Sequence, residues 1–269
     1  MVYDLHNDLL TSGLPQDEMS FKARNFPVRG VLFAVWTTEL LSAENAVLRA
    51  GQFVGNLPYP SAVGIEDCGF LKNCSLDEFA DVPIRYASLT WNADNGLAGG
   101  AMSDGRLSGE GRRILQELIA ANIAVDLAHL NERSFYDVVD FCAGRARLLC
   151  THTALARCMK HPRNLTDLQI KTLISAGGIV GLAAVRSFLS RETPDAQTYL
   201  EHILEYAETF GIGSLAIGTD MYGTAPLDGL EHYGKFTDLR ERLGKYLTQR
   251  QIDKIFYKNA ETYFLQETT

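Results

Sequence analysis

The chain has 269 residues, 46% of them apolar, with a formal net charge of −8 and a pI near 5.3. This length and apolar content suffice for one large soluble domain or two small ones. The acidic balance excludes a nucleic-acid backbone as the partner, because phosphate binding requires a basic face. The sequence has no run of 18 apolar residues and no charged leader before an apolar segment, so we expect no membrane span, no secretory signal and a cytoplasmic location.

Apolar runs and helical periodicity alternate along the chain. Strands are predicted from Val2 to Leu5 and over 30–36, 61–65, 84–90, 123–129, 147–152, 178–183 and 214–220. Residues 9–28 are polar and predict irregular structure. Helices are predicted over 42–54, after a capping box at 75–78, after Ser108, after the cap residue Asn131, and over 165–176, 194–210, 238–247 and 251–264.

Eight short apolar strands separated mostly by helices are typical of a closed parallel sheet that is covered on both faces. A (β/α)8 TIM barrel typically takes about 250 residues. We therefore predict an α/β fold in which residues 1–269 form one barrel domain with C-terminal helices. A doubly wound open sheet is the alternative, but no Gly-x-Gly-x-x-Gly turn follows any predicted strand.

In such a barrel the chemistry belongs at the C-terminal ends of the strands. The titratable residues there are His6, Asp8, Glu66, His129, His152 and Asp220. Neutral imidazole and carboxylate suit zinc or a similar divalent cation. Each residue alone could be a satisfied strand-end histidine, a capping acid or a turn residue. Their convergence on one mouth of the barrel favours a metal site.

The remaining histidines and the five cysteines have weaker cases. His202 is expected to be a surface or packing residue, whereas His161 and His232 could line a pocket without binding metal. The cysteines are odd in number, lack zinc-finger spacing and mostly lie in apolar runs, so we expect reduced structural thiols.

Six short motifs follow one another over nearly the whole chain. They are Asp4-Leu5-His6-Asn7-Asp8, Leu89-Thr90-Trp91-Asn92, Asp126-Leu127-Ala128-His129, Thr151-His152-Thr153, Arg163-Asn164 and Gly218-Thr219-Asp220. Together they resemble the membrane (renal) dipeptidase family of the amidohydrolase superfamily. The resemblance implies two divalent metal ions, most simply zinc, with His6 and Asp8 on one metal, His129 and His152 on the other, and Glu66 bridging both.

The resemblance also implies a metal-dependent hydrolase that cleaves the amide bond of small dipeptides, L,D-dipeptides included, through a hydroxide bridging the two metals. Asp220 would be the catalytic acid/base, and Arg163 would hold the substrate carboxylate. An amidohydrolase acting on N-acyl amino acids, lactones or cyclic amides is one alternative. A barrel that binds metal without catalysis is another.

The sequence departs from the family in three places. Trp91 stands where members often carry a histidine that contacts the substrate near the scissile bond, so we expect Trp91 at the substrate site. Val185 and Arg186 occupy the region of a frequent pocket tyrosine, and the chain is short between strands one and two. Zinc, manganese and cobalt all suit the ligand set. The C-terminal aromatic residues could cover the barrel bottom or meet a second subunit, which leaves a homodimer open.

Overall fold

Eight parallel strands close into a barrel in which each strand pairs with its sequence neighbours and β1 pairs with β8. The computed structural model describes residues 1–36 and 42–265. The strands are β1 Tyr3–Asn7, β2 Gly30–Trp36, β3 Ser61–Glu66, β4 Ile84–Ser88, β5 Ala124–Asp126, β6 Leu148–Thr153, β7 Ile179–Leu182 and β8 Leu215–Ile217. The predicted (β/α)8 TIM barrel is confirmed.

Helices cover the outside of the barrel and its lower end. They are α1 Gln16–Arg24, α2 Ala43–Val54, α3 Gly109–Ala120, α4 Glu132–Cys142, α5 Asp167–Ser175, α6 Arg186–Leu189, α7 Ala196–Phe210, α8 Phe236–Leu243, α9 Gln249–Asp253 and α10 Asn259–Leu265. A π-helical turn over Lys254–Lys258 joins α9 to α10, where one continuous helix was predicted. Short 3-10 helices lie at Leu9–Thr11, Cys68–Lys72, Leu76–Phe79 and Tyr233–Lys235.

The prediction of irregular structure over 9–28 is wrong, because α1 lies inside this range. Its only fully buried side chain is Ala23, so no apolar stripe marks the helix in the sequence. Predictions that rested on capping chemistry are confirmed. The side chains of Ser108 and Asn131 accept hydrogen bonds from backbone N–H groups three residues later, and Ser75 and Glu78 form a capping box.

Three strands end two or three residues before their predicted ends. β4 ends at Ser88, β5 at Asp126 and β8 at Ile217. Beyond two of these ends the backbone turns left-handed, at His129 (φ 68°) and Asp220 (φ 60°). An apolar run cannot reveal this turn, since left-handed backbone is set by the surrounding structure rather than by residue type at these positions.

A glycine in β3 leaves room for a large aromatic side chain in the barrel interior. A Cβ atom on Gly64 would lie 1.9 Å from Cζ of Tyr86, so only glycine leaves room for this ring to cross the interior. Tyr86 is fully buried and its hydroxyl lies 2.9 Å from Nδ1 of His6. The Tyr86 hydroxyl thus connects the packed interior of the barrel to a polar residue at its mouth.

The lower end of the barrel is closed by the C-terminal helix. Ala260 and Tyr263 of α10 are buried against residues of the barrel interior, including Leu149. The Tyr263 hydroxyl donates to the Leu148 carbonyl at 2.9 Å, and the Asn259 amide donates to the Leu215 carbonyl at 2.8 Å. Tyr263 thus covers the barrel bottom, one of the two outcomes expected for the C-terminal aromatic residues, and a homodimer stays a prediction.

Within 1–36 and 42–265, no helix combines the length and apolar character needed to cross a bilayer. All five cysteines are free thiols, as predicted, and Cys68, Cys142 and Cys150 are buried. Burial raises the pKa of Cys142 to about 11 and that of Cys68 well above its ordinary value. These buried thiols are therefore unreactive packing residues.

Candidate metal centre

The structure brings all six strand-end residues to the C-terminal mouth of the barrel. They leave the sheet at or just beyond five different strands. Most are almost fully buried: exposure is 1% for His6, 2% for His152 and 5% for Asp8, Glu66 and His129. Asp220 is half-buried. Buried charged and imidazole groups that converge in this way require partners of opposite charge or a bound cation.

Glu66 lies between the histidines. Its Oε1 atom is 2.6 Å from Nε2 of His129 and 3.8 Å from Nε2 of His152, and its Oε2 atom is 3.8 Å from Nε2 of His6. A carboxylate in this position fits a cation site that it would share with the histidines.

Asp8 and Asp220 complete the His6 side of the mouth. Oδ2 of Asp8 is 3.4 Å from Nε2 of His6, and ligand atoms of these two residues and Asp220 lie within 4.8 Å of one another. A Cβ atom on Gly223 would lie 2.4 Å from Oδ2 of Asp8 and 2.5 Å from Oδ1 of Asp220. The glycine therefore leaves space for both carboxylates.

Residues behind the histidines fix which ring nitrogen carries a proton. Nδ1 of His129 lies 2.9 Å from the acceptor Oδ1 of Asn92, so it is the donor. The single proton of the Thr151 hydroxyl is donated to Asp126 at 2.6 Å. The hydroxyl can then only accept from Nδ1 of His152, 2.9 Å away. Both imidazoles thus present the Nε2 lone pair to the mouth, the arrangement typical of metal-binding histidines.

The arrangement of unsatisfied atoms fits a cation. Nε2 of His6 and Oδ2 of Asp8 are buried without a hydrogen-bond partner in the described part of the chain. Nε2 of His129 and Nε2 of His152 lie 2.9 Å apart, although both carry lone pairs. Opposed lone pairs at this distance repel each other, and a buried polar atom without a partner costs about 1–3 kcal/mol. A divalent cation relieves both costs.

The electrostatics of the mouth agree with this fit. Burial lowers the pKa of His129 to about 4, with a further contribution from Arg163, and lowers the pKa of His152 well below its ordinary value. Burial would also lower the pKa of His6, but the carboxylates of Asp8 and Glu66 outweigh it and raise that pKa to about 10. Carboxylates that favour a proton on His6 favour any positive charge at the same place.

The pKa of Asp220 differs from that of an ordinary surface carboxyl. Burial and then the nearby charge of Asp8 raise the pKa of Asp220 well above its ordinary value.

The backbone of Asp220 is left-handed, as is that of His129. Such non-glycine conformations cost of order 1–3 kcal/mol and persist where the surroundings hold them. The mouth is therefore held in place by the rest of the barrel.

Asp4 anchors the first strand to the last. Its carboxylate accepts from the Thr219 backbone N–H at 2.8 Å, the Thr219 hydroxyl at 2.5 Å and the Tyr233 hydroxyl at 2.5 Å. Sequence reasoning missed this role, and it also missed the supporting residues Tyr86, Asn92, Asp126 and Thr151. Four of these five lie within the quoted motifs; Tyr86 carries no such signal.

Arg163 and Trp91 contact different histidines of the cluster. Arg163 lies beside His152, and Trp91 lies beside His129. Arg163 is 5% exposed, and its Nη2 atom is 2.6 Å from Nε2 of His152. Trp91 is 39% exposed and its ring stacks on His129 at a centroid distance of 6.0 Å. Both therefore border the cluster, as expected.

The other histidines lie outside the cluster. His202 is buried with Nε2 3.1 Å from the Leu189 carbonyl, in agreement with a packing role. His161 packs against Phe188 and lines a cavity of about 740 Å³ beside Arg163. His232 is exposed and caps the 3-10 helix Tyr233–Lys235.

The family model for membrane dipeptidase, peptidase family M19, matches residues 61–264. The uncharacterized dipeptidase C965.12 of Schizosaccharomyces pombe is 28% identical over 174 residues, which are 61% of this chain but only 41% of that relative, so the chain spans less than half of its length. An amidohydrolase structure from Pseudomonas aeruginosa superposes with a TM-score of 0.84 at 17% identity, covering 98% of this chain and 95% of that one.

A metallo peptidase from Rhodobacter sphaeroides, solved with a phosphinate mimic of the dipeptide L-Ala-D-Ala, superposes with a TM-score of 0.82 at 18% identity and covers 98% of both chains. Structures this distant in sequence establish the barrel fold. The family model covers strands β3 to β8, whereas His6 and Asp8 precede the matched segment and are placed at the mouth by the fold. The match extends over more than half of the residues, and the chain belongs to the membrane dipeptidase family, peptidase family M19.

Proposed function

We propose that this protein is a binuclear metal-dependent dipeptidase. His6 and Asp8 would bind one divalent cation, His129 and His152 the other, and Glu66 both. The proposal is carried by two observations: Nε2 of His6 and Oδ2 of Asp8 are buried without a hydrogen-bond partner in the described residues, and the Nε2 atoms of His129 and His152 face each other at 2.9 Å. Family membership supports it independently.

Two divalent cations in such a site supply Lewis acidity toward the amide carbonyl and a nucleophilic water at neutral pH. The chain's own residues do the rest. Asp220 takes a proton from the attacking water and returns it to the leaving amine as the carbon–nitrogen bond breaks. Its place beside Asp8 and His6 at the mouth puts the Asp220 carboxylate within reach of a water held at the site.

Arg163 would bind the C-terminal carboxylate of the dipeptide. A guanidinium fork matches a carboxylate, and burial strengthens the pairing because water is excluded. With the carboxylate fixed beside His152, the amide bond of a short substrate lies over the cation site. A charged clamp at this distance favours dipeptides over longer peptides.

The decisive experiment is elemental analysis of the purified chain, with turnover of L,L- and L,D-dipeptides measured before and after chelation. We expect two metal equivalents, loss of turnover on chelation and recovery on adding zinc. Fewer than two equivalents at full activity would contradict the binuclear assignment. Stoichiometric metal without hydrolysis of any compound would support a binding protein instead.

A second candidate is an amidohydrolase that acts on N-acyl amino acids, lactones or cyclic amides. The observation that favours it is Trp91, which gives the rim an apolar ring in place of a hydrogen-bonding group. Adding these three compound classes to the dipeptide panel separates the two candidates. Preferential hydrolysis of a lactone or N-acyl amino acid would replace the dipeptidase proposal.

We also propose zinc as the native metal, because the proposed ligands are three imidazoles and two carboxylates. Metal analysis of protein purified without added metal tests this, and manganese or cobalt in its place would overturn it. The five free thiols support a reducing compartment such as the cytoplasm. Cell fractionation tests the location.

A further inference from the structure

Both tryptophans of the chain lie beside the metal centre. Trp36 is the last residue of β2, and Trp91 follows the end of β4 by three residues. Their ring centroids are 5.2 Å apart with an interplanar angle of 44°. The Trp91 ring stacks on His129 at 6.0 Å with an angle of 29°. The two indoles and one proposed metal ligand thus form a continuous aromatic surface.

This surface faces the mouth instead of the core. Trp91 is 39% exposed and Trp36 is half-buried, although both rings are large and apolar. The Trp91 backbone is nevertheless fixed, since its N–H donates to Oδ2 of Asp67 at 3.3 Å. The next residue, Asn92, holds Nδ1 of His129 at 2.9 Å. A fixed, exposed aromatic ring beside a polar site is typical of a ligand-binding wall.

We propose that Trp91, backed by Trp36, binds the side chain of the N-terminal residue of the substrate and selects large apolar or aromatic side chains there. The inference rests on the proposed dipeptidase function and names the substrate class that the site prefers. Trp91 acts as a specificity-determining residue and takes no part in the proton transfers.

The direction of the substrate follows from the contacts. Arg163 touches His152, the Nε2 atoms of His152 and His129 are 2.9 Å apart, and His129 stacks under Trp91. A dipeptide whose carboxylate is held by Arg163 places its amide bond over the histidine pair. Its N-terminal residue then extends toward Trp91. An aromatic or long apolar side chain gains contact with the indole, whereas a methyl group does not reach it.

The kinetic test compares L-Phe-D-Ala with L-Ala-D-Ala on the zinc-loaded protein. For the unmodified chain we expect kcat/KM to be about tenfold higher for the phenylalanine substrate, the size of effect that aromatic contact and added apolar area give. In Trp91→Ala this ratio should fall to about one, mainly through a higher KM for L-Phe-D-Ala. Trp91→Phe should restore most of the ratio. Tyr246→Ala removes an exposed aromatic residue between α8 and α9 and is the matched control.

A binding test is independent of turnover. Trp36→Phe leaves Trp91 as the only tryptophan, and adding Asp220→Asn slows turnover by about 10²- to 10⁴-fold, so that binding can be followed. We expect L-Phe-D-Ala to change the tryptophan emission of this zinc-loaded double variant in a saturable way. The affinity for L-Ala-D-Ala, measured in the same way, should be at least about tenfold weaker.

The outcomes separate this inference from the proposed function. Hydrolysis of both dipeptides with the same kcat/KM ratio in the unmodified chain and in Trp91→Ala would overturn the proposed specificity role of Trp91. The dipeptidase function would stand. Saturable binding of L-Phe-D-Ala without hydrolysis of any dipeptide would do the reverse. A ratio near one in the unmodified chain, or no emission change at saturating substrate, overturns the inference.

Discussion

The two ends of the barrel are built from opposite chemistry. At the C-terminal end, imidazoles and carboxylates are buried with lone pairs facing one another. At the N-terminal end, α10 packs Ala260 and Tyr263 into the interior, and the side chains of Asn259 and Tyr263 donate to strand carbonyls. Burying polar groups at the C-terminal end therefore lowers the stability of the metal-free fold, and metal binding would offset this cost. Apolar burial at the N-terminal end stabilises the fold without a ligand. The following predictions test this division, from the largest expected effect to the smallest.

Replacing His129 with Ala should remove one metal equivalent and reduce dipeptide turnover to background, because the second of the two proposed cations would lose one of its two imidazoles. Elemental analysis and a turnover assay measure both effects. The far-ultraviolet circular dichroism spectrum should stay that of a folded barrel. Full metal content with full activity would show that the cluster is not a binuclear centre.

Replacing Asp220 with Asn should lower kcat by about 10²- to 10⁴-fold, the contribution typical of a positioned acid/base. Metal content should remain at two equivalents, since the amide keeps the shape of the side chain. A parallel fall in metal content and activity would mean that Asp220 binds a cation instead of exchanging protons.

Replacing Tyr263 with Ala should lower the free energy of unfolding by about 3–5 kcal/mol, as expected for a buried aromatic residue. Chemical denaturation measures it, with Tyr246→Ala as the exposed control, for which a change within about 0.5 kcal/mol is expected. The folded fraction should keep its metal stoichiometry. A variant that stays stable but loses metal would contradict the division between the two ends.

Replacing Asn92 with Ala should weaken metal binding by about 10- to 100-fold, because Nδ1 of His129 loses the acceptor that orients the ring. Competition with a chromophoric chelator measures the affinity. Asn56→Ala, at an exposed asparagine of the α2 region, is the control. Unchanged affinity in Asn92→Ala would mean that packing alone orients His129.

Asp253, near the lower end, gives the smallest effect. Burial would raise its pKa, but hydrogen bonds from Arg240 and Gln249 prevail and lower it to about 2. Because its pKa is lower in the folded state, the ionised Asp253 carboxylate stabilises the fold at pH values above the ordinary carboxyl pKa. This contribution is lost as the pH falls through about 2. The stability difference between the unmodified chain and Asp253→Asn should therefore shrink from pH 5 to pH 2. A pH-independent difference would contradict this.

The barrel and most of its mouth were predictable from local patterns. Apolar runs located all eight strands, and the strand ends located His6, Glu66 and Asp220 because parallel strands share one mouth. Capping chemistry located helix starts at Ser108 and Asn131. The assignment of Arg163 came from family resemblance alone, since a loop arginine has no periodic signal.

Several features depend on three-dimensional context that one sequence does not carry. The α1 helix lacks an apolar stripe, so its polar sequence does not predict a helix. The left-handed backbone of His129 and the space that Gly64 leaves for Tyr86 depend on distant neighbours. The proton position on His152 follows from a chain of two hydrogen bonds through Thr151 to Asp126, which becomes visible only when distances are known.

The closure of the sheet between β1 and β8 has a consequence for biosynthesis. His6 and Asp8 lie more than two hundred residues before Asp220 in the chain, yet their strand pairs with Ile217 of β8 and the Asp4 carboxylate accepts from Thr219. During translation this side of the mouth can form only after β8 has been synthesised. We therefore expect metal to be captured at the His6 side only once β8 has paired with β1.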